Sequence, residues 1–122
     1  MTEPLPISPK AALHRLTVRP GDGILAIDCE DLLRAIDFDA DKIAHHAAWD
    51  LSAELITRLR PAVVMLPLFL PQSDAMTLIE ALEAMGYHGQ IIVLGPKLPK
   101  PDLVEQELRG LGPGSRLRLV TP

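Results

Sequence analysis

The residue types for metal or nucleophilic chemistry occur in this 122-residue sequence only in small groups. Asp37-Phe38-Asp39-Ala40-Asp41 has the alternating carboxylates that open a calcium loop, where hard oxygen ligands wrap the cation. That loop needs glycine at its sixth position and glutamate at its twelfth; Lys42 and Ala48 stand there, so a solvated acidic loop is expected. His45-His46 supplies two imidazoles, but neighbours in a strand point to opposite faces, and no cysteine or third histidine stands at zinc spacing. One buried and one exposed histidine is expected, and His14 and His88 are assigned no role. Cys29 would be reactive if a helix N-terminus lowered its pKa, whereas a lone cysteine ordinarily serves as a small buried residue. The sequence has no Gly-x-Ser-x-Gly elbow, phosphate loop or dinucleotide fingerprint.

The elements that would position these groups alternate between strand and helix. Ser8 and Pro9 have the pattern of a helix start, leading into a short helix to Leu16, and Arg19-Pro20-Gly21-Asp22-Gly23 reads as a turn. Ile24 to Ile27 is a buried strand, and Asp28 at its end is expected to cap the helix that follows, to Ile36. Lys42 to Ala47 is a second strand, and Asp50 is expected to cap a helix that Pro61 ends. Val63 to Leu66 forms a third strand. A helix capped by Ser73 then carries Leu78, Ile79, Leu82 and Met85 on one face and stops at Gly86. Gln90 to Leu94 is a fourth strand, and a stiff linker from Gly95 to Pro101 leads to a helix from Asp102 to about Gly110. Leu117 to Val120 is the last strand. Right-handed crossovers between such strands favour a three-layer α/β fold, flavodoxin-like, with a five-stranded parallel sheet in the order 2-1-3-4-5.

The stretch from Pro61 to Ala75, Pro-Ala-Val-Val-Met-Leu-Pro-Leu-Phe-Leu-Pro-Gln-Ser-Asp-Ala, resembles the third strand and following loop of a response-regulator receiver domain. The resemblance runs from Ile24 to Pro122, leaving residues 1–23 as an N-terminal extension with a short helix. It implies five functional positions at the carboxyl ends of the strands. The family's acidic pair matches Asp28 and Cys29, its phosphoacceptor matches Pro67, its hydroxyl residue matches Gly95, and its lysine matches Thr121, with Pro122 behind it. Pro71 and Asp74 match the family's loop, and Ala75 replaces its glycine. Of the five, only Asp28 keeps its chemistry. Proline offers no oxygen to attack a phosphoryl donor or hold magnesium, so the resemblance implies a degenerate receiver without a cofactor or metal. The family's last helix has no counterpart after the fifth strand, and the helix from Ser8 to Leu16 is expected in its place. Pro67 is expected at or beyond the last paired residue of its strand, since it cannot donate a ladder hydrogen bond.

Composition narrows the functional classes. A net charge of -4 and one Trp, one Tyr and two Phe argue against nucleic-acid binding, which needs clustered cations or aromatic platforms. The longest apolar run, Ala62 to Leu70, is too short for a membrane span, and Cys29 as the one cysteine fits a reducing cytoplasm. No nucleophile-base pair can be assembled, so an enzyme is not expected. The resemblance implies a non-phosphorylatable signalling module of the two-component type that contacts another signalling protein or a second copy of itself. Phe69, Leu70, Pro71, Lys97 and Leu98 are the candidate contacts, with Leu70 expected in the core and Phe69 partly exposed. The alternative is a small-molecule or nucleotide sensor with its ligand between Asp28 and Gly95, where glycine would let a ligand reach the backbone.

Overall fold

The computed structural model describes residues 8–16, 23–38, 40, 42–70 and 73–122. Residues 19–22 of the expected turn, Asp39 and Asp41 of the acidic loop, and Pro71 lie outside these residues. The chain order is α1 (Pro9–Leu16), β1 (Ile24–Ile27), α2 (Glu30–Ala35), β2 (Ile43–His46), α3 (Ala53–Leu59), β3 (Val63–Pro67), α4 (Ala75–Ala84), β4 (Gln90–Leu94), α5 (Pro101–Leu111) and β5 (Arg116–Val120). A single 3₁₀ turn, Ala48–Asp50, stands between β2 and α3. All neighbouring strands pair in parallel, in the order β2-β1-β3-β4-β5. This is the three-layer α/β architecture expected from the alternation of strands and helices.

β1, β3 and most of β4 are continuous apolar runs because helices cover both faces of the sheet. Their side chains divide by strict alternation. Leu25, Ile27, Val64, Leu66, Ile91, Val93 and Leu117 pack against Leu55 of α3, Leu78, Ile79 and Leu82 of α4 and Leu108 of α5. Ile24, Ala26, Val63, Met65, Ile92, Leu94 and Val120 face the other way, against Leu13 of α1 and Leu33 of α2.

The second face needs α1. α2 is only six residues long and contributes one fully buried side chain, Leu33. Beside it α1 lies against β5 and buries Leu13 completely, at 0% exposure. Ser8 starts α1 as a cap: its Oγ accepts from the Ala11 N–H at 3.2 Å, with Pro9 in the first helical position. The N-terminal helix therefore covers the part of the sheet where the resemblance implied a final helix.

Three caps differ from expectation, two of them here and the third, at α2, in the site described below. Ser52, not Asp50, caps α3, its Oγ accepting from the Leu55 N–H at 3.0 Å, because Asp50 is already taken up in the 3₁₀ turn. Asp74, not Ser73, caps α4 by accepting from the Thr77 N–H at 2.8 Å. Pro61 does end α3: it disfavours right-handed helix at Arg60, which closes the helix in the left-handed region at φ 45°.

Because α1 is joined to the core through Leu13, Leu13→Ala should lower the unfolding free energy by about 2–5 kcal/mol. Urea unfolding followed by circular dichroism measures this, and an unchanged midpoint would mean that α1 does not cover the sheet.

Candidate functional site

In open parallel sheets, ligands and partners meet the crevice outside the carboxyl ends of the strands. β3 ends there on Pro67, in register with Leu94. The parallel ladder explains why proline fits. The Val63 N–H reaches toward β1, donating to the Gly23 carbonyl at 3.2 Å, and the Leu68 N–H reaches toward β4, donating to the Leu94 carbonyl at 2.8 Å. Alternation then turns the Pro67 nitrogen toward β1, where strand pairing has ended at Ala26–Met65. No ladder bond to β4 is lost, so Pro67 is the last residue of its strand, as expected.

β1 ends because Asp28 adopts a left-handed conformation, φ 49°, which aspartate tolerates better than most residues. The turn aims its carboxylate across to the 3₁₀ segment, where Oδ2 accepts from the Ala48 N–H at 2.7 Å. Asp28 is therefore not the helix cap that its position suggested. Cys29 occupies the cap position of α2 and makes no side-chain cap bond. Its thiol is 1% exposed, donates to the Met65 carbonyl at 3.7 Å, and has its pKa pushed up to about 12 by burial. A helix start does not activate this thiol; the small buried residue is what the structure shows.

The remaining positions are apolar in their surroundings. A β-carbon added at Gly95 would meet Leu119 and Leu68 at 3.4 Å and Thr121 at 3.6 Å, ordinary contact distances, so its side-chain direction is lined by carbon atoms and offers no polar group. Pro67 and Gly95 line a cavity of about 370 Å³ together with Leu32, Phe69, Leu94 and Val120. Asp28 lines different cavities. One, of about 490 Å³, includes Glu30, Asp31, His46 and Asp50; the other, of about 360 Å³, includes Trp49, Leu70 and Thr77. The five positions thus do not converge on one polar pocket, and the ligand crevice expected between Asp28 and Gly95 is divided. Among the described residues no group of three His, Cys, Asp or Glu side chains is arranged to hold a metal ion. His45 is exposed and His46 half-buried, its Nδ1 3.6 Å from Asp50, because β2 is an edge strand whose cover is incomplete.

The loop after β3 is closed by an antiparallel bridge between Phe69 and Asp74. Thr77, through its backbone N–H and hydroxyl, holds the Asp74 carboxyl below the ordinary aspartate range, so the cap persists into mildly acidic solution. Phe69 is 69% exposed, more than expected, while Leu70 is half-buried against the core. Lys97 is exposed and Leu98 packs half-buried against the same core. Sequence reasoning missed Trp49, which is 79% exposed beside the Asp28–Ala48 bond. Its signal was available: a lone tryptophan next to Asp50 in a segment without helical or strand periodicity.

With this geometry in place, comparison with known proteins is informative. No sequence family and no curated protein matches the chain. Among solved structures, the receiver domain of a Francisella response regulator superposes with a TM-score of 0.58, covering 83% of this chain and 84% of that one at 16% identity. The chain has the receiver fold. At that identity the likeness speaks for the fold and the sheet order, and the chemistry must be read from this chain's own residues. No helix among the described residues is long and apolar enough to cross a membrane.

Asp28 acts here as a brace between two loops. Asp28→Asn keeps an acceptor and tolerance of positive φ, and should leave thermal stability near that of the unsubstituted chain. Asp28→Ala loses both and should cost about 1 kcal/mol or more. Equal midpoints for the two variants in a melting experiment would remove the bracing role.

Proposed function

We propose that this chain is a signalling module of the two-component type that acts by protein contact at the carboxyl end of its sheet, without phosphoryl transfer. The observation that carries the reading is where its apolar surface lies. The large exposed hydrophobics among the described residues are Leu32, Trp49, Phe69, Met76 and Leu103. Leu32, Met76 and Leu103 stand in the first turns of α2, α4 and α5; Trp49 and Phe69 stand in the segments that leave β2 and β3. All of them therefore surround the carboxyl ends of the strands. Scattered exposed hydrophobics need no explanation, but a set gathered at one end of a fold marks an interaction surface.

The same end lacks what phosphoryl chemistry would use. Pro67 has no nucleophilic oxygen, Asp28 is bonded to Ala48, Cys29 is buried and protonated, and Gly95 stands beside the apolar side chains of Leu68 and Leu119. The partner would be another signalling protein or a second copy, with Trp49 and Phe69 as aromatic anchors of the kind that dominate binding energy. Pro67 stiffens the start of the loop that presents Phe69, which lowers the entropy lost on docking. A second reading has its own support. The cavity at Pro67, Phe69 and Gly95 is lined almost wholly by apolar groups, and it suits a small apolar ligand better than a nucleotide, whose phosphates would need cations there.

Incubation with a small-molecule phosphodonor and magnesium, followed by intact-mass measurement, tests the reading. No mass gain is expected. A stoichiometric, hydroxylamine-labile phosphoryl adduct would overturn it.

A further inference from the structure

The apolar cavity at the carboxyl end of the sheet has Pro9, Pro67, Phe69, Pro96, Val120 and Pro122 in its lining. Among the described residues that line it, no side chain is polar. Its prolines have no N–H to offer a ligand. Backbone groups beside them are taken within the fold: the Gly95 N–H donates to the Val120 carbonyl at 2.9 Å, and the Leu94 carbonyl accepts from the Leu68 N–H at 2.8 Å. Phe69 and Leu32 border the cavity at 69% and 45% exposure, so apolar surface stands open to water there.

One candidate occupant is tethered at its rim. Pro9 is both a lining residue and the first residue of α1. Residues 1–7, Met-Thr-Glu-Pro-Leu-Pro-Ile, precede it and lie outside the described residues. A chain extends by at most about 3.6 Å per residue, so Leu5 can stand no farther than about 14 Å from Pro9. Leu5 and Ile7 are aliphatic, and residues two apart in an extended chain point to one side. Pro6 favours extended backbone at Leu5, and Pro4 and Pro6 have fixed φ themselves, so little freedom remains to be lost on docking. Thr2 and Glu3, the polar residues, stand at the far end of the segment, where docking of Leu5 and Ile7 leaves them in water.

We propose that residues 1–7 of the same chain occupy this cavity, with Leu5 and Ile7 as the groups that fill it. The segment then regulates the apolar site, because an outside apolar ligand or partner must displace it to reach Phe69. Its tether sets a high hurdle: a short linker gives an effective concentration on the order of millimolar. The inference rests on the reading of the cavity as an apolar site and adds its occupant.

Two measurements on the full chain test it. Methyl-resolved NMR should show contacts from the Leu5 and Ile7 methyls to the Phe69 ring and the Val120 methyls. Mixing labelled with unlabelled chain separates contacts within one copy from contacts between copies, and the former are expected. In the double variant Leu5→Ser, Ile7→Ser, the uncharged apolar dye Nile red should bind at least about fivefold more tightly than to the unsubstituted chain, because the open cavity is then the main population. The circular dichroism spectrum of the variant should be unchanged, since both substitutions precede the helix cap at Ser8. Absence of methyl contacts from either residue to the cavity would overturn the proposal, and contacts found only between copies would give the cavity to a second copy instead. Measurable but equal dye affinity for the two chains would also overturn it, while leaving the cavity's reading as an apolar ligand site standing.

Discussion

The structure depends on how its two central strands end. The Pro67 nitrogen points toward β1, so the N–H that proline lacks ends the β1–β3 ladder at Ala26–Met65 and costs no bond to β4. β1 itself runs on beside β2 to Ile27, and Asp28 then turns left-handed and carries the chain out of the sheet. That turn directs the Asp28 carboxylate to Ala48, which fixes the 3₁₀ segment and with it the exposed Trp49. On the far side Leu68 bonds back to Leu94, and the Phe69–Asp74 bridge presents Phe69 at the surface. A local backbone constraint thus sets both the separation of Asp28 from Pro67 and Gly95 and the placing of the exposed aromatic groups.

The rest of the fold keeps that end rigid. Fully alternating side chains divide the sheet between two cores completed by the helices, of which α1, α3 and α4 have their starts fixed by Ser8, Ser52 and Asp74. The weak point is the second face, where a six-residue α2 leaves sheet uncovered and Leu13 of α1 fills the gap. In a parallel sheet both faces must be dry, so the helix may come from either end of the chain provided it brings the apolar side chain. The receiver fold is met here with that substitution.

Much of this was legible in the residues. β4 was readable to its ends because Gln90 and the apolar run Ile91 to Leu94 stand between Gly89 and Gly95, and Ser8-Pro9 announced α1 correctly. The sheet order followed from alternation and handedness. Cap assignments failed where two capping residues lie close together, as with Asp50 and Ser52 or Ser73 and Asp74, because either can bond the first free N–H groups and tertiary geometry selects. Asp28 was misread for a related reason. Its left-handed φ sends the carboxylate to a loop twenty residues ahead in sequence, which no local pattern encodes. Trp49's exposure is not local either, since it depends on how elements pack.

The central claim is that the carboxyl end of this receiver fold has exchanged phosphoryl chemistry for an apolar contact surface. Beryllofluoride with magnesium mimics a phosphoryl group by bonding a receptive carboxylate, so an amide-resolved NMR titration with it examines the site without requiring turnover. The account predicts no saturable shift at the amides of Asp28, Leu68 or Gly95. Saturable shifts concentrated at those three positions would contradict it.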